Sequence, residues 1–134
     1  MIVQKGVWST KGEHKFYLSD LPCGHCANSF YRDSFYGTED TSRFEIVQVD
    51  TLDNILHELG IKKVDFIKMD VEGAEVEALK GMNQVLENND VKLAGEYHVI
   101  NGKSTYKIIA SQLKEKGFEV YKEGAILYAS KEPK

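Results

Sequence analysis

Eight consecutive residues, Lys68-Met69-Asp70-Val71-Glu72-Gly73-Ala74-Glu75, close an apolar run with three carboxylates and a glycine. Strand alternation puts Lys68 and Asp70 on one face, and Gly73 permits a tight entry into a following helix. A second such place is Gly95-Glu96-Tyr97-His98, where Glu96 and His98 again share a face. A carboxylate and an imidazole converging in a crevice can act as orienter and general base, because histidine titrates near neutrality and a carboxylate fixes its tautomer. The same groups can hold a divalent cation. A structural reading stands beside these: Glu72 and Glu75 favour a helix N-terminus through its dipole, and Lys68 pairs with Asp70 or Glu96.

Cys23-Gly24-His25-Cys26 is the other constellation with chemical content. A Cys-x-x-Cys pair lowers one thiol's pKa, and two thiolates at this spacing can supply half a zinc site, with His25 or His14 as a third ligand. Residues 28–40 carry no helical stripe of the kind a thioredoxin-like site needs, and no second cysteine pair completes a zinc site. Loop thiols, a disulfide and a metal shared between subunits remain the three readings.

These groups need elements to position them. Residues 2–9 are β-prone, Lys11-Gly12-Glu13 makes a turn, and residues 14–19 resume the strand pattern, which predicts an N-terminal β-hairpin. Residues 20–42, with Pro22, Gly24 and Gly37 among many small polar residues, read as a surface loop. Residues 45–50 form a strand, followed by a helix in which Leu52, Ile55, Leu56 and Leu59 recur at helical spacing up to Gly60. The apolar run 64–71 is a strand leading into a helix whose buried stripe is Ala74, Ala78, Leu79, Met82, Val85 and Leu86. Residues 91–98 form another strand, Tyr106, Ile109, Ala110 and Leu113 line a helix closing at Gly117, and strands begin at Phe118 and Ala125. Alternating strands and helices imply an α/β fold with a mainly parallel sheet, and the tight turn at Glu123-Gly124 makes the last two strands an antiparallel pair.

At 134 residues and 42% hydrophobic content the chain suits one domain. A net charge of −4 without a basic block disfavours nucleic acid and anionic membrane surfaces. No run approaches the roughly 18 apolar residues of a membrane helix, and residues 1–5 lack a signal peptide's apolar stretch, so a cytoplasmic protein is expected.

The segment Val49-Asp50-Thr51-Leu52-Asp53, the run Val64-Asp65-Phe66-Ile67-Lys68-Met69-Asp70-Val71-Glu72-Gly73-Ala74-Glu75, and the later Leu79-Lys80-Gly81 and Glu96-Tyr97-His98 together resemble the signature of the FkbM methyltransferases. The resemblance runs over about residues 2–130. It implies a Rossmann-like class I methyltransferase sheet and transfer of a methyl group from S-adenosylmethionine to a hydroxyl of a sugar, lipid or other small molecule. By position it places Asp70 and Glu72 at the end of the family's fourth strand beside the transferred methyl, and Glu96 and His98 at the end of the fifth. Gly6 and Val7 fall near the end of the third, where the fold passes the adenine, so the cofactor-binding candidates are Gly6, Val7 and Asp70. Removal of the acceptor's proton falls to His98, oriented by Asp70 or Glu96. Some methyltransferases of this fold bind the acceptor through magnesium held by acids after the fourth and fifth strands, positions that Asp70 and Glu96 occupy.

The family's first two strands and its glycine-rich cofactor loop should precede Ile2, and no two glycines of this chain stand two positions apart. The expectation is therefore a single partial domain over residues 1–134, truncated at the N-terminus and weak in cofactor binding by itself. The strand at residues 64–71 would then lack its neighbour, an apolar edge that invites a homodimer or pairing with another chain. A non-catalytic remnant acting by self-association, and a redox or metal module built on Cys23 and Cys26, are the competing functions.

Overall fold

In the computed structural model, residues 1–19, 28–31 and 43–131 are described. Cys23 and Cys26, with the readings attached to them, lie outside the described residues. The chain is a mixed α/β structure with a three-stranded and a four-stranded sheet, and a cleft lies between the first sheet and residues 70–72, which follow a strand of the second.

The first sheet is centred on β3 (Phe44–Asp50), with β1 (Gly6–Val7) parallel on one edge and β2 (Gly12–Tyr17) antiparallel on the other. The expected N-terminal hairpin is thus not formed: its two arms flank β3 and do not pair with each other. Gly6 and Gly12 both lie opposite Val49, so the link between them arches over the end of β3, where the Trp8 N–H donates to the Asp50 carbonyl at 2.9 Å. Aromatic packing on this arch favours the split arrangement, since Trp8 meets His14 at 4.7 Å and Phe30 at 5.3 Å, and Phe30 meets Phe16 at 5.0 Å.

At the end of β3 the buried Asp50 carboxylate accepts from Thr51 N–H at 2.9 Å, Asn54 Nδ2 at 2.9 Å and Lys5 Nζ at 3.2 Å. The Asn54 bond is the main influence holding its pKa below the ordinary value, against burial, with the Lys5 charge assisting. Thr51 caps α1 (Leu52–Glu58), its Oγ1 accepting from Asn54 N–H at 3.1 Å.

The second sheet has the order β4 (Phe66–Met69), β5 (Lys92–Glu96), β9 (Ile126–Ser130), β8 (Glu119–Glu123). β4, β5 and β8 run in one direction, but β9 turns back through Gly124 and inserts between β5 and β8. The sheet expected to be mainly parallel is therefore mixed, with only the β4–β5 pairing parallel. The antiparallel pairing of the last two strands is present as expected. Among the described residues β4 has no strand on its outer side, and Phe66 there is 58% exposed.

The single helix expected after β4 is two, α2 (Glu75–Lys80) and α3 (Asn83–Asn88). The break comes from tertiary contacts at Gly81. A Cβ at that position would sit 2.1 Å from the Trp8 carbonyl oxygen. The Gly81 carbonyl accepts from Asp53 N–H at 3.1 Å, and the Asp53 carboxylate accepts from Gln84 N–H at 2.9 Å and Val85 N–H at 3.0 Å. A side chain from α1 thus caps α3 across the sequence.

With α4 (Tyr106–Glu115), these helices cover one face of the second sheet. Leu79, Leu86, Leu93, Ile109, Leu113 and Leu127 are fully enclosed there, each contributing roughly 1.5–3 kcal/mol by leaving water. Between β5 and α4 lies an unexpected small hairpin, β6 (Val99–Ile100) and β7 (Lys103–Ser104), turned by Asn101 and Gly102 with φ of 51° and 74°. Among the described residues no helix is long and apolar enough to cross a membrane.

A candidate active site at the ends of β4 and β5

β4 and β5 run side by side with Met69 opposite Gly95, so the residues that follow each strand meet at the same end of the sheet. After Asp70 the chain turns through Glu72 at φ 46° and Gly73 at φ 98° into α2. Left-handed backbone at a non-glycine such as Glu72 is strained, and strain of this kind clusters at functional turns. Two anchors hold it. Ser29 Oγ donates to the Glu72 carbonyl, and Ile100 of β6 packs on Gly73 so closely that a Cβ there would be 2.3 Å from its Cδ1.

The turn places three carboxylates around the His98 imidazole. Nδ1 is 2.8 Å from Oε1 of Glu75, while Nε2 is 3.4 Å from Oε2 of Glu72 and 3.8 Å from Oδ1 of Asp70. Glu75 is fully buried, and its Oε1 also accepts from Gly73 N–H at 2.9 Å. Its Oε2 accepts from Thr105 Oγ1 at 2.9 Å. Thr105 in turn takes the His98 N–H on its hydroxyl at 3.1 Å and gives its own N–H to the His98 carbonyl at 2.9 Å.

Burial disfavours the charged form of His98, but the Glu75 hydrogen bond and the charges of Glu75, Glu72 and Asp70 outweigh it and raise its pKa above the ordinary value. Burial also pushes the Glu72 carboxyl up; the nearby imidazole pulls it down, and Asp70, Glu96 and Glu75 add to the rise. The ring is more basic than a free imidazole, and among the described residues its Nε2 makes no hydrogen bond and faces the carboxylates of Glu72 and Asp70. An incoming proton donor, or a cation, is the group such a nitrogen and its neighbours can accommodate.

All four residues expected to be catalytic fall in this place: Asp70, Glu72 and His98 through the contacts above, and Glu96 because one of its oxygens lies within 4.8 Å of a ring nitrogen of His98 and an oxygen of Asp70. The cofactor candidates Gly6, Val7 and Asp70 line one cleft of about 1160 Å³ between the first sheet and the turn after β4, together with Phe16, Phe30 and Glu72. The carboxylate nearest to His98 is neither Asp70 nor Glu96 but Glu75, which reads in the sequence as a helix-dipole residue. Thr105 carries no signal in the sequence; in the structure its side chain makes no cap bond to α4 and turns to Glu75.

An α/β fold that gathers acids and a histidine at the carboxyl ends of adjacent parallel strands, beside a wide cleft, has the layout of an enzyme site. Residues 3–120 match the family model described as the Methyltransferase FkbM domain, and the chain belongs to that family. Methyl transfer is the chemistry of the family, and S-adenosylmethionine its general donor. No curated protein and no solved structure matches the chain.

Proposed function

We propose that the chain serves S-adenosylmethionine-dependent O-methylation of a small-molecule, sugar or lipid hydroxyl, with His98 as the base. The observation that carries this reading is the His98 Nε2, held behind the cleft-lining acids, 3.4 Å from Glu72 and 3.8 Å from Asp70. When bound, S-adenosylmethionine supplies an electrophilic methyl group on a sulfonium. The residues present suit it: Asp70 and Glu72 offer negative charge to a sulfonium, while Gly6 and Val7 offer backbone and apolar surface to an adenine.

With S-adenosylmethionine bound, His98 Nε2 would receive the acceptor hydroxyl's proton as that oxygen takes the methyl group and the thioether leaves. Asp70 and Glu72 would hold positive charge at the cleft and stabilise the imidazolium. Glu96, with an oxygen within 4.8 Å of Asp70 and His98, would hold the acceptor hydroxyl beside them. General-base assistance of this kind contributes about 10²–10⁴-fold. Incubation with methyl-tritiated S-adenosylmethionine and a panel of simple glycosides and glycerolipids tests the reading. His98→Gln should reduce labelled product by that factor; equal labelling by wild type and variant, or none by wild type with any acceptor, overturns it.

A second reading rests on the proximity of Asp70, Glu96 and His98. Magnesium prefers oxygen ligands, so Asp70 and Glu96 would hold it and present acceptor hydroxyls to the cleft. Calorimetric titration with magnesium chloride should give binding that Asp70→Asn abolishes, and a flat titration of the wild type sinks it. Among the described residues no strand pairs with the outer side of β4, where Phe66 is exposed, and this supports pairing with another chain. Light scattering that finds only monomers at high concentration would remove that proposal.

A further inference from the structure

The reading above assigns His98 a proton but leaves open what makes the correct nitrogen available for it. We infer that Glu75 is the positioning residue for His98 and that Thr105 holds Glu75 in register. Together they fix the proton on Nδ1 and leave the Nε2 lone pair on the side of Glu72 and Asp70, the acids that line the cleft.

Glu75 is fully enclosed, so its two oxygens must find donors or destabilise the fold. Oε2 is filled by the Thr105 hydroxyl, and Oε1 takes Gly73 N–H and faces His98 Nδ1 at 2.8 Å. A carboxylate only accepts, so Nδ1 must carry hydrogen. Free histidine favours the opposite tautomer, with the proton on Nε2, so the buried carboxylate reverses the ring's ordinary preference.

Thr105 stands at the start of α4 in helical backbone, with φ −70° and ψ −17°, and its side chain makes no cap bond to the helix. Its hydroxyl accepts from His98 N–H at 3.1 Å and donates to Glu75 at 2.9 Å, with the His98 carbonyl at 3.2 Å beside it. Its backbone N–H meets the His98 carbonyl at 2.9 Å. One residue therefore grips both the backbone of His98 and the carboxylate that orients its ring, and the three form one buried polar network.

The assignment deepens the proposed role of His98 and rests on it for its meaning, but it is measured without cofactor or acceptor. Long-range ¹H–¹⁵N correlation spectra of the full chain, recorded at a pH where the ring is neutral, report which nitrogen is protonated. Wild type should place His98 in the Nδ1–H form. In Glu75→Gln the acceptor survives without its charge, and the Nδ1–H to Nε2–H ratio should fall about tenfold, since charge roughly doubles the strength of such a bond. Thr105→Val should lower the same ratio and Thr105→Ser should restore it, whereas the resonances of His14 and His57 stay fixed. A wild-type Nε2–H form, or a ratio unchanged in Glu75→Gln, overturns the assignment of Glu75; a ratio unchanged in Thr105→Val overturns that of Thr105. If the tautomer behaves as described but His98→Gln still transfers methyl groups at the wild-type rate, the positioning stands and the base reading fails.

Discussion

Gly73→Ala isolates what the turn between β4 and α2 demands of its backbone. The position has φ 98°, where an L side chain is strained by about 1–3 kcal/mol. The added methyl would also lie 2.3 Å from Ile100 Cδ1 and 2.8 Å from its Cγ1. Because Cδ1 is the free end of a side chain that can rotate, this overpacking lies at the low end of its usual range, about 1 kcal/mol. The expected total is about 2–4 kcal/mol, a large part of the roughly 5–15 kcal/mol that holds a domain folded. Urea unfolding followed by circular dichroism, in wild type, Gly73→Ala, Ile100→Ala and the double variant, separates the two shares. With Ile100 trimmed, the alanine should still cost about 1–3 kcal/mol, because the dihedral penalty remains. The reasoning is refuted if the single variant is as stable as wild type, or if its whole cost disappears in the Ile100→Ala background.

Gly81→Ala should be less forgiving, because its methyl meets the Trp8 carbonyl oxygen at 2.1 Å and backbone cannot rotate away; a loss of about 3 kcal/mol or more in urea unfolding is expected, and a change under about 0.5 kcal/mol would contradict it. Asp53→Ala removes the carboxylate that caps Gln84 and Val85 and should cost about 1 kcal/mol, with Asp53→Asn costing less; equal stability of the alanine variant and wild type would show that the cap is idle. The raised pKa of His98 predicts a stability contribution fully present below its unfolded value of 6.5 and lost as pH rises through the higher folded value. Unfolding free energies of wild type minus those of His98→Gln should therefore decline with pH across that window, and a flat or rising difference would reject the charge assignment. If the ring is the base, methyl transfer should climb over the same window as the neutral form appears.

Burial follows sequence period in β4, β9 and α4, which made them legible, while β3 and β8 were legible from their β-prone residues and not from alternating burial. The hairpin was misread because the sequence of residues 2–19 specifies two strands and a bend, but not which edge of β3 each will take. The helix break at residues 81–82 was hidden for a similar reason. Gly81 is a tolerable helix residue until the Trp8 carbonyl comes against it, and that approach is set by residues far away in the chain. In the site, Asp70, Glu72, Glu96 and His98 were readable from strand ends, where side chains must converge. Glu75 and Thr105 were not, because at a helix start an acid and a threonine have adequate local explanations, and only burial reveals that both face inward. The Asn101-Gly102 pair did carry a turn signal, but its strands are two residues each and leave no periodicity to detect.

Among the described residues the two sheets share no ladder of backbone hydrogen bonds. They are joined by Val7, Leu52 and Leu56 packed on the common core, and by separate contacts: Trp8 against Gly81, the Asp53 carboxylate on α3, and the Ser29 hydroxyl on the Glu72 carbonyl. A ladder transmits curvature from strand to strand, whereas side-chain ties leave each sheet to keep its own shape. One such joint, Ser29 on Glu72, borders the cleft and ends on the same residue that faces His98. Any ligand that spreads or closes the walls must work against that joint, so accommodation in the cleft is mechanically linked to the setting of an acid beside the imidazole.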